Sequence, residues 1–313
     1  MKWLFVIDPL SDLTLERDTT LAIVEAVVAR GQDAYLTTLP ELSMDLARGA
    51  YAKTLRVECC EPLQGRVEVS PAETQTLDGF DFVLMRKDPP FDMEYVYATY
   101  ILEAAERSGC CVINGAAGLR DATEKLYPLL YPEFCPPQLV TRDEEEIMNF
   151  LARCGGKGVV KPLNLMGGQG ILLLSLDDPN LAAIITMALH GGQERVMVQA
   201  FIEEAWEGDK RILSVDDEIL GAFVRRPKAG DFRGNICAGA TVAACDLTPR
   251  DEEILHKVMP DLKARGQRFI GVDIVGPLLT EINVTSPMGL REIDALTGGN
   301  SGDRLVATLI ANR

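Results

Sequence analysis

The stretch GVDIVGPLLTEIN, residues 271–283, is the most informative part of the chain. Apolar, mostly branched residues lie on both sides of a Gly-Pro dipeptide, a pattern typical of a tight turn between two strands. We therefore predict strands over 269–275 and 278–284 that pair as an antiparallel hairpin. Acidic and amide residues are poor strand formers, yet three of them fall inside these strands.

We expect these three polar side chains on one surface of the hairpin. Side chains alternate between the two faces of a strand, so Glu281 and Asn283 share a face that Ile282 does not. Pairing across the turn places Asp273 roughly opposite Thr280 or Glu281. Two carboxylates and an amide are hard oxygen ligands that suit Mg²⁺. The alternative is an exposed strand face with solvated acids; we favour the metal site.

A glycine-bearing loop and two lysines form a candidate anion site. Lys161 ends a predicted strand over 158–161, and the loop MGGQG follows at 166–170. Backbone N–H groups of such a loop can approach an anion, although a plain hairpin turn is the commoner explanation. An isolated lysine such as Lys125 is more often simply solvated. Neither a Walker A sequence nor a GxGxxG sequence occurs in the chain.

Other basic residues cluster in a chain that is otherwise acidic. The predicted loop from 227 to about 246 has about twenty residues, which is long for a compact domain. Loops of this length often act as lids. The clusters are Arg86 with Lys87, Lys210 with Arg211, Arg225 with Arg226, and Lys228 and Arg233 in the loop.

Short apolar runs alternate with amphipathic segments in the first third of the chain, which predicts βαβ units and a parallel sheet. Ligands of such sheets bind beyond the carboxyl ends of the strands. That rule places Asp8, Arg86, Lys87 and Asn114 on one rim. The predicted strands cover 3–7, 34–38, 82–85 and 111–113, and the predicted helices cover 18–29 and 92–107.

The pattern changes from about residue 123. A predicted helix over 124–130 is followed by hairpin-like strands and a covering helix over 180–189, which indicates a small α+β unit. The last part contains the 271–283 hairpin and a final helix over 303–311.

The composition excludes several classes of function. Of 313 residues, 31 are Lys or Arg and 47 are Asp or Glu, which gives a net charge of −16. This balance argues against nucleic acid and anionic membranes as partners. The apolar run at 3–7 is too short for a signal peptide, so we expect a cytoplasmic protein. With only two histidines and no C-x-x-C among eight cysteines, no histidine-based metal site or catalytic triad is indicated.

Several longer strings resemble bacterial glutathione synthetase, an ATP-grasp ligase family. The most specific are MRKDPPFD at 85–92 and TEINVTSP at 280–287. Shorter matches are IDPL at 7–10, YATYILE at 97–103, LRD at 119–121 and EKL at 124–126. The resemblance spans essentially the whole chain in the same order.

The resemblance implies an α/β fold with α+β character in its ATP-grasp part. A pre-ATP-grasp domain with a parallel sheet, which binds substrate, would span 1–122. Two ATP-grasp subdomains would follow, a central one at 123–202 and a catalytic one at 203–313, with a lid loop at 226–245.

The resemblance also assigns roles to individual residues. The catalytic arginines near the transferred phosphate and in the lid are Arg211, Arg225 and Arg233. The ATP-binding residues are Lys125, Lys161, Met166, Gly167, Gly168, Gln199, Ala200, Phe201, Ile202 and Asp209. The substrate-binding residues are Arg86, Asn235, Ser286 and Glu292. The metal ligands are Asp273, Glu281 and Asn283.

The implied activity is ATP-dependent ligation of γ-glutamylcysteine and glycine to glutathione through an acyl phosphate, with ADP and phosphate as products. Two Mg²⁺ ions are implied, with Mn²⁺ as an alternative metal. The implied partners are ATP, γ-glutamylcysteine, glycine and further copies of the chain in a dimer or tetramer, with no nucleic acid and no membrane.

The chain departs from the family pattern at three places. Asn164-Leu165 replaces Asp-Gly before the glycine loop, Gly239-Ala240-Thr241 replaces Gly-Gly-Arg in the lid, and Thr123 replaces Asn. These changes leave two alternatives open. One is a ligase with a different amine or dipeptide substrate, and the other is a non-catalytic nucleotide-binding homologue.

Overall fold

The computed structural model describes residues 1–121 and 123–313, with only the backbone of Cys237. Its strands form three sheets, which follow one another along the chain. Within the described residues no helix combines the length and hydrophobicity needed to cross a membrane.

The first sheet has eight strands, ordered β3-β4-β2-β1-β7-β8, with β5 and β6 also paired to β4. Strands β2, β1, β7 and β8 are parallel, as the βαβ pattern predicts. The strands are β1 (Lys2–Ile7), β2 (Asp33–Thr38), β3 (Leu42–Asp45), β4 (Gly49–Glu61), β5 (Arg66–Val69), β6 (Glu73–Thr76), β7 (Phe82–Met85) and β8 (Cys111–Ile113).

Helices α1 (Thr19–Ala29), α2 (Met93–Arg107) and α3 (Ala116–Asp121) accompany this sheet. The side chains of Asp18 and Asp92 accept hydrogen bonds from backbone N–H groups in the first turns of α1 and α2, which fixes where these two helices begin.

The central sheet has four antiparallel strands in the order β11-β10-β12-β9. Val160 and Val198 pack into a core formed with helices α4 and α5, whereas Val159 and Lys161 face away from it. Strand alternation thus gives this sheet one face for packing and one for a ligand. The elements are β9 (Gln138–Thr141), α4 (Glu144–Arg153), β10 (Lys157–Pro162), β11 (Leu172–Ser175), α5 (Leu181–Ala188) and β12 (Val196–Ala200).

The third sheet has five antiparallel strands in the order β15-β14-β13-β16-β17. Its last two strands form the predicted hairpin. The elements are β13 (Asp209–Val215), β14 (Glu218–Arg226), β15 (Thr241–Ala244), α6 (Pro249–Ala264), β16 (Phe269–Val275), β17 (Leu278–Asn283), α7 (Leu290–Thr297) and α8 (Ser301–Ala311).

Two predictions of local structure are wrong. The helix predicted over 124–130 is a single 3₁₀ turn, Tyr127–Leu130, which contains Pro128 and is followed by Pro132. The loop predicted to run to about residue 246 is shorter, because Thr241–Ala244 form β15 and pair with the end of β14. The segment that joins β14 to β15, residues 227–240, is called the lid below.

The first and third sheets share hydrophobic cores. One core contains Leu4 and Leu102 together with Val258 and Val272, and another joins α1 to α8. The central sheet packs around a separate core whose members all lie between residues 139 and 200. The two outer parts of the chain are thus packed as one body, with the central sheet attached beside it.

Candidate active site

A cleft of about 800 Å³ is lined by residues of the central and third sheets. Most of the site residues predicted from the sequence line this cleft, although their individual roles stay predictions. They are Lys125, Lys161, Met166, Gly167, Gly168, Gln199, Ala200, Phe201, Ile202, Asp209, Arg225, Arg233, Asn235, Asp273 and Glu281.

The register of the β16–β17 hairpin explains the acidic side of the cleft. Asp273 pairs with Glu281, and Gly271 pairs with Asn283 two positions along each strand. The register then shifts, so that Thr280 has no partner of its own across the hairpin. Asp273, Glu281 and Asn283 therefore lie along one face, as the alternation of side chains predicts.

Two arginines hold the carboxylate of Asp273. Arg211 donates from Nε to Oδ1 at 2.5 Å and from Nη2 to Oδ2 at 2.7 Å, and Arg225 donates from Nη2 to Oδ2 at 2.8 Å. Burial alone would raise the pKa of Asp273, but the two guanidinium groups outweigh burial and hold this pKa below its usual range. Arg225 also binds Asp209 through two hydrogen bonds. Asp273 is therefore an ionised, fixed oxygen donor.

The two predicted phosphate-binding lysines lie close to these acids. Lys125 Nζ is 3.2 Å from Glu281 Oε1 and donates to the carbonyl oxygen of Leu165 at 2.6 Å. Lys161 Nζ donates to Gln199 Oε1 at 2.9 Å. Burial lowers the pKa of Lys161, and the charge of Glu281 opposes this effect. Burial removes the water that would stabilise the charge of Lys161, and an anion bound beside Lys161 would stabilise this charge instead.

The lid contacts the glycine loop. Arg233 donates from Nη1 to the carbonyl oxygen of Gly168 at 3.4 Å and is paired with Asp231. Gly168 has φ of +80°, and a Cβ at this position would lie 2.5 Å from Asn235 Oδ1. Only glycine therefore fits where the loop and the lid meet.

Five predicted site residues lie outside the lining of the cleft. Arg211 lies behind Asp273, and Asn283 lies farther along the hairpin. Ser286 lies near Asp88 and lowers the pKa of that carboxyl group, against the larger effect of burial. Glu292 lies on α7, and Arg86 directly follows β7.

Arg86 is buried at the end of β7 and only partly satisfied. Its Nε donates to Thr20 and its Nη2 to the carbonyl oxygen of Pro287, while Nη1 has no hydrogen-bond partner among the described residues. Burial lowers the pKa of Arg86. A buried, unpaired N–H of a guanidinium group is costly unless a ligand binds it.

The predicted rim of polar residues is only partly correct. Lys87 Nζ lies 2.9 Å from Asp8 Oδ1 at the carboxyl ends of β1 and β7. Asn114, in contrast, is buried and donates to the carbonyl oxygens of Phe269 and Val284. Its role is to tie the first sheet to the third.

A second cavity of about 640 Å³, mostly apolar, adjoins the cleft at Leu165, which lines both. Glu124 accepts a hydrogen bond from Thr285 Oγ1 at 2.6 Å. Sequence reasoning missed this cavity, since its walls come from four separate segments. The walls are Pro89, Phe91, Leu119, Thr123, Glu124, Leu126, Leu163, Asn164, Leu165 and Thr285.

The oxygen donors of the hairpin fit a hard metal ion. Asp273 and Glu281 are carboxylates beside cationic groups, and Asn283 adds an amide on the same face, which is the ligand chemistry of Mg²⁺. Across the described residues, no group of three or more His, Cys, Asp or Glu side chains is arranged to hold a metal ion.

Two family models match the chain. The model described as the prokaryotic glutathione synthetase N-terminal domain matches residues 1–120, and the one described as the prokaryotic glutathione synthetase ATP-grasp domain matches residues 124–298. The glutathione synthetase of Synechocystis sp. is 40% identical over 319 aligned positions, which cover 99% of each protein. That of Nitrosomonas europaea is 41% identical over 317 positions, which cover 100% of this chain and 98% of the relative.

Solved structures with lower identity share the fold. D-cycloserine synthetase DcsG has a TM-score of 0.67 at 15% identity and covers 98% of this chain and 99% of its own. The ATP-grasp ligase PsnB, complexed with a phosphomimetic variant of its minimal precursor, Mg and ADP, has a TM-score of 0.65 at 18% identity, with 98% and 97% covered. By its sequence matches and its fold, the chain belongs to the prokaryotic glutathione synthetase family of ATP-grasp ligases.

Proposed function

We propose that this chain joins the cysteine carboxylate of γ-glutamylcysteine to the amine of glycine with ATP, and forms glutathione, ADP and phosphate. Family membership supports the reaction. The observation that carries the assignment is the convergence of two lysines, a glycine loop and two carboxylates on one cleft. Such a cleft can bind a polyphosphate and a metal ion together.

Amide formation from a free carboxylate needs activation. The carboxylate attacks the γ-phosphorus of ATP, the bond to the β-phosphate oxygen breaks, and an acyl phosphate and ADP result. The amine then attacks the acyl carbon, phosphate leaves, and the amine loses a proton. Lys125, Lys161 and Arg225 would neutralise charge on the transferred phosphoryl group, and the lid would exclude water from the acyl phosphate.

We assign the metal site to Asp273, Glu281 and Asn283. ATP-grasp ligases use ATP with Mg²⁺, and we propose two such ions here, replaceable by Mn²⁺. When bound, the metal would withdraw charge from the phosphate oxygens of ATP. Before binding, Arg211 and Arg225 keep Asp273 ionised and fixed, and Lys125 lies beside Glu281.

No protein nucleophile is needed for these steps. Both histidines, His190 and His256, are exposed, and neither lines the cleft. The reacting groups are the substrates themselves, so the residues of the cleft act by position and charge.

We place the dipeptide and glycine beside the part of the cleft that contains Lys125, Lys161 and the glycine loop. The second cavity reaches this part of the cleft at Leu165, and Glu124 offers a carboxyl group to an amine; burial and the charge of Glu281 raise the pKa of this carboxyl group. The unpaired Nη1 of Arg86 could take a carboxylate oxygen of the dipeptide. Ser286, Asn235 and Glu292 complete the substrate site in this proposal.

The proposal also includes a division into three domains, at 1–122, 123–202 and 203–313, and a homo-oligomeric assembly. The separate core of the central sheet supports the first of these. A cytoplasmic location fits a reaction that needs ATP.

Phosphate release from ATP and Mg²⁺ with γ-glutamylcysteine and a panel of amines tests the proposal. Stimulation by glycine supports glutathione synthesis. If phosphate release is stimulated only by another amine, or only with another dipeptide, the result favours the ligase of different specificity. Leu165 would explain such a change, because it lines the second cavity at a position where the family pattern has Gly. ATP binding without any turnover would favour a non-catalytic homologue.

A further inference from the structure

Three polar side chains form a hydrogen-bonded row on the cleft face of the central sheet. Lys161 Nζ donates to Gln199 Oε1 at 2.9 Å, and Gln199 Nε2 donates to Gln138 Oε1 at 3.1 Å. Lys161 and Gln199 line the cleft, whereas Gln138 does not. The row therefore connects a predicted phosphate-binding lysine to a side chain that lies outside the cleft.

The register of the central sheet produces this row. Gln199 on β12 pairs directly with Gln138 on β9 and with Val159 on β10. Directly paired residues of neighbouring strands point to the same face, and Lys161 follows Val159 by two positions, so all four side chains share one face. The opposite face of the sheet packs on α4 and α5.

An amide side chain is directional, and this property decides what Gln138 does. The ammonium group of Lys161 can only donate hydrogen bonds, so Gln199 must turn its Oε1 toward Lys161. The Nε2 of Gln199 then points to β9, where it needs an acceptor because Gln199 is only 3% exposed. Gln138 Oε1 is that acceptor. Without it, the amide of Gln199 would be free to turn over and set its N–H donors against the ammonium group.

The placement of Lys161 depends in turn on Gln199. Across the part of the chain that the structure describes, Gln199 Oε1 is the one group that accepts a hydrogen bond from Lys161 Nζ. The ammonium group has three N–H donors, so this contact leaves two of them for a ligand. A correctly oriented Gln199 therefore fixes both the position of the charge and the direction of the free donors.

We propose that Gln138 is a positioning residue for phosphate binding, which orients the amide of Gln199 and through it holds Lys161 in place for the phosphates of ATP. This role rests on the proposed function, since it takes the anion at Lys161 to be a polyphosphate. Because Gln138 does not line the cleft, it acts only through Gln199. The alternative is that Gln138 merely helps β9 to pack beside β12.

Removal of the acceptor at position 138 separates these two roles. Methionine matches the length of glutamine but is at most a weak acceptor. For Gln138→Met we expect kcat/KM for ATP to fall about tenfold and the inhibition constant of inorganic tripolyphosphate to rise by a similar factor. The KM for glycine should change less than about twofold, because only phosphate binding is affected. Gln138→Glu keeps an acceptor for Gln199 Nε2 and should restore both phosphate-dependent constants to within about twofold of wild type.

A double-mutant cycle tests whether Gln138 acts through Gln199. Protein that already carries Gln199→Leu has no amide to orient, so adding Gln138→Met should change the inhibition constant of tripolyphosphate by less than about twofold. Independent effects of the two substitutions would instead multiply. Gln193→Met, the same substitution at an exposed turn position, is the control in both backgrounds.

The outcomes distinguish this role from the function on which it rests. The positioning role would be overturned by a wild-type kcat/KM for ATP in Gln138→Met, by an equal loss in Gln138→Glu, or by effects that multiply in the cycle. Glycine-dependent turnover of the wild-type protein would still support the proposed function in each case, and wild-type protein that does not use ATP would contradict that function instead. If Gln138→Met does not fold, Gln138→Leu also lacks an acceptor and provides the same comparison.

Discussion

Arg211 and Asp273 are directly paired neighbours on β13 and β16, and they form a two-point ion pair with N–O distances of 2.5 and 2.7 Å. Both side chains are at least nine-tenths buried. The planar guanidinium group therefore fixes the orientation of the carboxylate on the face it shares with Glu281. Because Arg211 does not line the cleft, the geometry favours a positioning role for it over direct contact with phosphate.

Arg211→Lys tests this positioning role. Lysine keeps the charge but cannot make the two-point contact, so Asp273 should lose its fixed orientation. We expect the apparent affinity for Mg²⁺ in turnover to fall about 10- to 100-fold, the usual range for partners of metal ligands. Arg107→Lys, on the exposed end of α2, is the matched control. An unchanged Mg²⁺ dependence would show that Arg211 does not position a metal ligand.

Lys161→Met tests the anion site. The long side chain is kept but its charge is lost, and we expect kcat/KM for ATP to fall at least about 100-fold with the fold intact. Lys157→Met, on the same strand but exposed and paired with Glu203, should stay near wild type. Circular dichroism checks folding, and near-equal activity of the two variants would mean that Lys161 does not contact ATP.

The hairpin at 271–283 could be predicted from the sequence because two local signals agree there, namely strand alternation and a turn dipeptide. The same rules predict Asn114 at the end of a strand. They cannot distinguish a side chain that contacts a ligand at the edge of the sheet from an amide that donates to two buried carbonyl groups, as Asn114 does. That difference depends on residues more than 150 positions away.

Other features leave weaker traces in the sequence. Strand β4 buries Ala50, Ala52 and Thr54 on its inner face, and such small or polar side chains give little hydrophobic periodicity. Phe232 lines the cleft but is a single aromatic residue in a loop, so no hydrophobic period identifies it. Val159, two positions before Lys161, could have been assigned to the cleft from strand alternation alone.

Leu165→Gly tests the boundary between the two cavities. The change removes the side chain that lines both, while the backbone carbonyl that accepts from Lys125 is retained. We expect the ratio of kcat/KM for alanine to that for glycine to rise several-fold, roughly the effect of one methyl group in a pocket. Leu163→Ala changes the wall of the second cavity alone and is the comparison variant. A ratio that does not respond to Leu165→Gly would place the acceptor elsewhere.

Asp216 links stability to pH away from the active site. It is buried and accepts from Arg268 at 2.7 Å through each oxygen, and from Asn312 beyond α8. Burial would raise its pKa, but these hydrogen bonds outweigh burial and lower it. A carboxylate with a lowered pKa stabilises the fold above its unfolded-state pKa of about 3.9, and this stabilisation is lost as the pH falls below that value.

We therefore expect Asp216→Asn to reduce the free energy of unfolding at pH 7 by about 3 kcal/mol, since Arg268 loses its buried partner. The difference from wild type should shrink as the pH falls below about 3.9, first because the unfolded chain takes up the proton and then because folded Asp216 does. Urea unfolding at pH 7 and at about pH 2.5 measures both quantities. Asp217→Asn, at the exposed neighbouring position, should change stability by less than about 0.5 kcal/mol. A difference that is the same at both pH values would contradict the linkage.

The central claim is that this cleft makes glutathione, and the most direct test is to measure ADP, phosphate and glutathione together by mass spectrometry and phosphate assay. The protein is incubated with ATP, Mg²⁺, γ-glutamylcysteine and glycine, beside the Glu281→Gln variant. We predict equal amounts of the three products, dependent on glycine, and loss of all three in Glu281→Gln. ATP cleavage without glutathione, or undiminished synthesis by Glu281→Gln, would contradict the account.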